Sequence, residues 1–207
     1  MSLKITNKLP TYPGDPVVSI FAKTKFEESG YNILSLNLGT HSGTHVDVPL
    51  HLLKNGKSID DVPLDRFFGE AFIVEILKDK KEIIRMDEIK KFDIRKNDIF
   101  IIRTGWEKYK YKKNYFTDFP YFDLEVADYI LSKKIKALGV DMPSVDGLET
   151  HGAFHKKLME NGVVIIEALI NLKKLCGRRM QFIALPLNIG KADGSPVRAV
   201  AFDEKIF

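Results

Sequence analysis

The chain has 207 residues and a mass of 23.6 kDa, which at roughly 150 residues per domain gives one domain and leaves no room for two independent enzymatic ones. With 44% hydrophobic and 29% charged residues it has the composition of a soluble globular protein with one core, and intrinsic disorder is excluded as the main state. The 32 basic residues exceed the 28 acidic ones by only four, so a phosphate-gripping protein is not the default reading and nucleic acid is not an expected partner.

Residues 1–16 hold no apolar signal-type run and reach a proline at Pro10, so no secretory leader is expected. Strand patterns follow at 17–24 and 31–38, where Leu34, Leu36 and Leu38 alternate with polar neighbours. After a histidine-rich segment at 41–51, further strands are expected at 71–77 and 98–103. The stretch from Lys108 to Tyr115 interleaves lysines with tyrosines and reads as a tyrosine-anchored surface loop rather than a base-stacking platform. A helix is predicted at Leu124, Ala127, Ile130 and Leu131 behind an Asp123 cap, then a strand at 137–140. Asp141 and Asp146, spaced by Pro143 and Ser144, read as a loop held by local side-chain hydrogen bonds. A second helix over 150–160 stops at Asn161-Gly162 and carries His151 and His155 one turn apart, His151 on the surface.

The apolar strand 163–166 ends at Glu167, a carboxylate costly to bury unless it is paired or metal-bound. No apolar run approaches the 18 or so residues of a membrane span, because Glu167 breaks the best candidate. Cys176 is the only cysteine, so neither an intramolecular disulfide nor a cysteine-based zinc knuckle can form. Residues 190–195 read as a turn, and strands are expected at 181–187 and 198–202. Helices each feeding a short apolar strand give an α/β class with a mixed sheet, in one domain spanning 1–207 and located in the cytoplasm.

Five histidines in 207 residues would put roughly a quarter of one in any 11-residue window, yet residues 41–51 hold three. The segment reads His41-Ser-Gly-Thr-His45-Val-Asp47-Val-Pro-Leu-His51. Every potential ligand is at an odd position, so an extended chain would turn all four to one face. Extension alone would spread them over about 33 Å, at roughly 3.3 Å per residue, so the chain must bend. Gly43 permits a bend before His45, and Pro49 excludes a continuous strand before His51. Two imidazoles and a carboxylate suit a Zn²⁺ or Mn²⁺ site with open positions. His155 and Glu167 are further candidate ligands, with surface or structural roles equally compatible with their spacing.

The segment HSGTHVDVPLH resembles the signature HxGTHxDxPxH of the metal-dependent cyclase family, which includes bacterial kynurenine formamidase and isatin hydrolase. Supporting matches are the YPGDP of residues 12–16, the RTGW of 103–106, the GVDMPSVD of 139–146, the spacing of His155 and Glu167, and the DGSPVRAV of 193–200. The resemblance implies a swivelling β/β/α domain, in a homo-oligomer such as a dimer or tetramer. It also implies His41, His45 and Asp47 as ligands of one metal, with Asp47 reaching a second, His155 binding that second metal and Glu167 bridging both. His51 matches the proton donor and acceptor of an amide hydrolase. A metal-dependent binding module without turnover is the alternative, against which the presence of His51 speaks. Tyr12 stands where the formamidases have a substrate-facing tryptophan, so a small-molecule amide with a different preference is expected.

Overall fold

The computed structural model describes residues 1–203. Strands β1 (Ser19–Thr24) and β2 (Ile33–Asn37) form an antiparallel hairpin of their own, with the single-turn helix α1 (Phe26–Ser29) at its tip. Then come β3 (His45–Asp47), a 3-10 turn at Pro49–His51, β4 (Phe68–Glu75), β5 (Ile83–Ile84), α2 (Met86–Ile89) and β6 (Ile99–Arg103). The rest is β7 (Tyr121–Phe122), α3 (Leu124–Ser132), β8 (Ala137–Val140), α4 (Ala153–Glu160), β9 (Val164–Glu167), β10 (Arg178–Ile183), β11 (Gly194–Pro196) and β12 (Val200–Phe202).

The main sheet runs β11-β3-β9-β8-β6-β4-β10-β12. Its four middle strands, β9, β8, β6 and β4, are parallel, and the flanking pairs are antiparallel. This is the mixed α/β sheet expected from the sequence. Residues 99–102 of β6, Ile-Phe-Ile-Ile, are fully buried because both faces of the strand are covered. Phe100 and Ile102 pack with Val126, Ala127 and Ile130 of α3 and Phe154 and Leu158 of α4. Ile99 and Ile101 face the opposite way, into a cluster that holds both Val46 of β3 and Phe182 of β10. Those two strands are five places apart in the sheet order, so the sheet curls until its distant members share one core.

Each helix follows its local chemistry. Asp123 caps α3, its side chain accepting from Glu125 N at 3.3 Å. Helix α4 stops at Asn161, with Gly162 in the left-handed region at φ 71°. Its start differs from expectation: α4 begins at Ala153, and His151 precedes it with a left-handed φ of 51°, so His151 and His155 are not one helical turn apart. The strand expected at 181–187 instead covers Arg178–Ile183. Arg178 and Arg179 fit this outer strand because Arg179 pairs with Glu70 and Asp98 and lies over the Phe72 ring, which removes the cost of its charge. Among the described residues, no helix is long and apolar enough to cross a membrane.

Candidate metal centre

Only three residues of the histidine segment are strand. His41 precedes β3 in a turn, Gly43 takes φ 70°, and Pro49 opens the 3-10 turn that carries His51 back towards His41, leaving their ring centroids 4.1 Å apart. Register does the rest. His45 lies opposite Glu167 on β9, so these two strands deliver side chains to one spot, while Asp47 lies opposite Gly194 on β11, just after Asp193. Val46, Val48 and Ile166 point to the far face and join the core there. His155, on the buried side of α4 beside Phe154 and Leu158, comes in from the helix layer.

His41, His45 and His155 each have one nitrogen tied outward and the other aimed inward. His45 Nδ1 donates to the Gly43 carbonyl at 2.9 Å, His155 Nδ1 to Asp146 Oδ2 at 2.7 Å, and His41 Nε2 to Asp193 Oδ2 at 2.9 Å. A carbonyl or carboxylate oxygen can only accept, so in the neutral rings the inward nitrogens carry lone pairs. These inward atoms meet two buried carboxylates. His41 Nδ1 and His45 Nε2 lie 2.7 and 3.2 Å from Asp47 Oδ1, and His155 Nε2 lies 3.5 Å from Asp47 Oδ2. Glu167 offers Oε1 at 3.1 Å from His155 Nε2 and Oε2 at 3.6 Å from His45 Nε2.

Lone pairs facing lone pairs at such distances demand positive charge between them. The imidazoles answer by holding protons. Burial works to lower the His41 pKa, but its hydrogen bonds to Asp193 and Asp47 prevail and raise it to about 10. Burial likewise opposes the charged form of His155, and its bonds to Asp146, Asp47 and Glu167 still hold it well above the usual range. Asp47, which burial alone would push up, is held well below the carboxylate range by the His45 charge and by hydrogen bonds from His155, His41 and His45. A dication meets the same demand, and binding one would release those protons. The donor set therefore fits a divalent metal. Among the described residues three groups offer ligand atoms within 4.8 Å of one another: His41 with His45 and Asp47, Asp47 with His155 and Glu167, and His41 with His51 and Asp193; the first two share Asp47 and are the more buried.

The cluster forms the floor of a cavity of about 350 Å³. Its wall includes His51, Leu52, Tyr115, Pro143 and Leu148, with Tyr12 at the rim, 37% exposed and edge-on to Phe116 at 5.6 Å. His151 lines the same cavity but lies apart from the metal-type groups. The rings of the 108–115 stretch turn mostly inward. Tyr109 packs on Trp106 and Tyr115 is buried in the cavity wall, leaving Tyr111 as the exposed ring of the three.

Two aspartates have reach that local spacing did not suggest. Asp141 is wholly buried and accepts from Thr104 N, Thr104 Oγ1 and Gly105 N, tying the Arg-Thr-Gly-Trp segment after β6 to the end of β8. Asp146 accepts from Thr150 Oγ1, Phe154 N and His155 N as well as from the His155 ring, so it starts the helix and aims its histidine. Asp193, read from sequence as part of a turn, is the outward partner of His41. Spacing signals neither bond: Asp146 is nine residues from His155 and Asp193 is 152 residues from His41, and only the folded chain brings each pair together.

The family model described as "Putative cyclase" matches residues 1–147. A kynurenine formamidase of Bacillus thuringiensis subsp. konkukian (strain 97-27) is 34% identical over 203 residues, covering 97% of this chain and 94% of that protein. Among solved structures, a potential metal-dependent hydrolase with cyclase activity superposes with a TM-score of 0.84 at 25% identity, over 99% of this chain and 96% of the other. An isatin hydrolase bound to the product analogue thioisatinate superposes with a TM-score of 0.85 at 25% identity, over 98% and 87%.

Proposed function

This chain belongs to the cyclase family, and from that premise we propose that it is a metal-dependent hydrolase of amide bonds, acting on a formamide or a cyclic amide. One observation carries the proposal: three inward imidazole nitrogens and two buried carboxylates converge on the floor of a cavity whose wall holds an additional histidine, His51. Kynurenine formamidase relatives and an isatin hydrolase neighbour support the reaction class.

In this reading His41, His45 and Asp47 would hold one divalent ion, and Asp47, His155 and Glu167 would hold a second. Zn²⁺ and Mn²⁺ both suit the mixed nitrogen and oxygen donors. When bound, such ions supply Lewis acidity, which polarises an amide carbonyl and makes water a nucleophile near neutral pH. The protein's own residues supply the remainder. His51, in the cavity wall, is the general acid that delivers a proton to the departing nitrogen. The apolar wall of Leu52, Phe116 and Leu148 takes a planar substrate body, and Tyr12 offers both a ring face and a hydroxyl at the rim. A homo-oligomer fits the exposed Phe21, Phe26, Leu34 and Leu36 of the β1–β2 hairpin, since an isolated two-stranded sheet is marginal in water.

Two substitutions separate the roles of the α4 histidines. His155→Ala should impair metal binding, measured by elemental analysis, whereas His151→Ala should leave the metal content unchanged because His151 lies outside both groups. The reverse pattern would move the second metal to His151.

Substrate choice is tested at Tyr12. A site that hydrogen-bonds its substrate discriminates more sharply than one that only fits its shape, so the tyrosine hydroxyl should shift preference away from N-formylkynurenine. The measurement is kcat/KM across N-formyl arylamines, isatin and simple cyclic amides, in the native protein and in Tyr12→Trp. The expected result is a gain for N-formylkynurenine in Tyr12→Trp. Native turnover of N-formylkynurenine above about 10⁴ M⁻¹s⁻¹, unaltered by the substitution, would deny Tyr12 any part in specificity. No hydrolysis of any amide in the panel by metal-loaded protein would overturn the reaction class.

A further inference from the structure

We propose that Asp193 is a positioning residue for His51, fixing the tautomer in which His51 can exchange a proton with the substrate; this rests on the acid–base role given to His51 above. Asp193 Oδ2 lies 3.4 Å from His51 Nδ1 and 2.9 Å from His41 Nε2, while Oδ1 accepts from Thr40 Oγ1 at 2.9 Å. One carboxylate oxygen thus serves the acid–base histidine and the outward nitrogen of a metal ligand together. Because the carboxylate only accepts, the proton of neutral His51 is drawn to Nδ1, and the Nε2 lone pair is left for the reacting groups in the cavity. The opposite tautomer would present a fixed N–H there and could not begin by accepting a proton. The 3.4 Å separation is long for a firm bond, as is common for catalytic contacts before substrate is bound.

The carboxylate is held where this role needs it. Asp193 O accepts from Val48 N at 3.2 Å, and the next residue, Gly194, pairs with Asp47 in the β11–β3 ladder. Gly194 lets the strand lie against the His41 ring. A Cβ there would come within 2.8 Å of His41 Cε1 and of Val46 O, so no larger residue keeps Asp193 at this distance. Stability is a poor explanation for the arrangement, because the Asp193 side chain is 38% exposed and ion pairs so open to water contribute little.

The experiment uses metal-loaded zinc protein, with metal content measured on each sample. Nitrogen-15 spectra of labelled histidines report the tautomer of His51, assigned by the loss of its signals in His51→Ala; with five histidines in the chain the spectrum is small. In the native protein His51 should be the Nδ1–H form. In Asp193→Ala, which removes the acceptor, the Nδ1–H population should fall at equal metal content, and kcat should drop by about 10- to 100-fold with KM changed less than about two-fold. Asp193→Glu, which keeps an acceptor, should recover part of the loss. An unchanged His51 tautomer in Asp193→Ala overturns the proposal, as does a loss of kcat that disappears once metal is restored, since Asp193 would then act through His41 alone. A third metal ion lost from Asp193→Asn would also overturn it, by making His41, His51 and Asp193 a cation site. The tautomer is read without turnover, so failure of the amide hydrolase reading and failure of this proposal are separable.

Discussion

Asp47→Ala should strip the protein of most of its divalent metal and lower amide hydrolysis by about 10³-fold or more, the scale of the several kcal/mol that Lewis-acid stabilisation contributes. Asp47 is common to two of the three metal-type groups, one oxygen facing His41 and His45 and the other facing His155. Its loss leaves three imidazoles around Glu167 alone, too little negative charge to bind a dication firmly. The fold should survive, because β3 is held by backbone pairing on both sides and by Val46 and Val48 in the core, none of which needs the carboxylate. Asp47→Asn, which keeps the shape and removes the charge, guards against misfolding as the cause. Metal content by elemental analysis checks the expectation, and full occupancy in a folded Asp47 variant would remove this residue from the metal centre.

His51→Ala should behave in the opposite way, keeping its metal and losing about 10²- to 10⁴-fold in kcat, the usual size of a general acid–base contribution. The difference comes from geometry. His51 projects from the 3-10 turn after Pro49, outside both groups that share Asp47, and faces Asp193 across the mouth of the cluster. Steady-state kinetics at saturating metal, with metal measured on the same sample, separate the two roles. A variant that lost its metal would make His51 a ligand, and a variant with unaltered kcat would give proton transfer to another group.

Much of this centre could be read from residues alone, for a physical reason. Alternation along an extended chain is a short-range property, so odd spacing puts His45 and Asp47 on one face of β3, whereas His41 and His51 come there through the turns on either side of the strand. Gly43 and Pro49 showed where the chain must bend, and the cost of burying Glu167 in an apolar strand marked it as a partner of something. One end of each longer helix is nearly as plain, the start of α3 at Asp123 and the stop of α4 before Gly162, since both signals act locally. The outward partners were not. Asp193 reaches His41 only because β11 returns to pair with β3, a strand order that periodicity does not encode. Asp141 likewise spends its oxygens on Thr104 and Gly105, 37 and 36 residues away. His151 was misplaced on the helix because a left-handed residue followed by Gly152 delays the start of α4, and no side-chain pattern announces that. The strand β10 begins earlier than its apolar run because charges on an outer strand can be satisfied by neighbours such as Glu70 and Asp98.

The decisive measurement is a metal titration of chelator-stripped native protein, following hydrolysis of an N-formyl arylamine as Zn²⁺ or Mn²⁺ is added in counted equivalents. The arrangement around Asp47 predicts that the metal-free protein is inactive, that hydrolysis grows with bound metal, and that it levels off at two ions per chain. Undiminished hydrolysis by metal-free protein would contradict it, as would saturated binding with no hydrolysis of any formamide or cyclic amide.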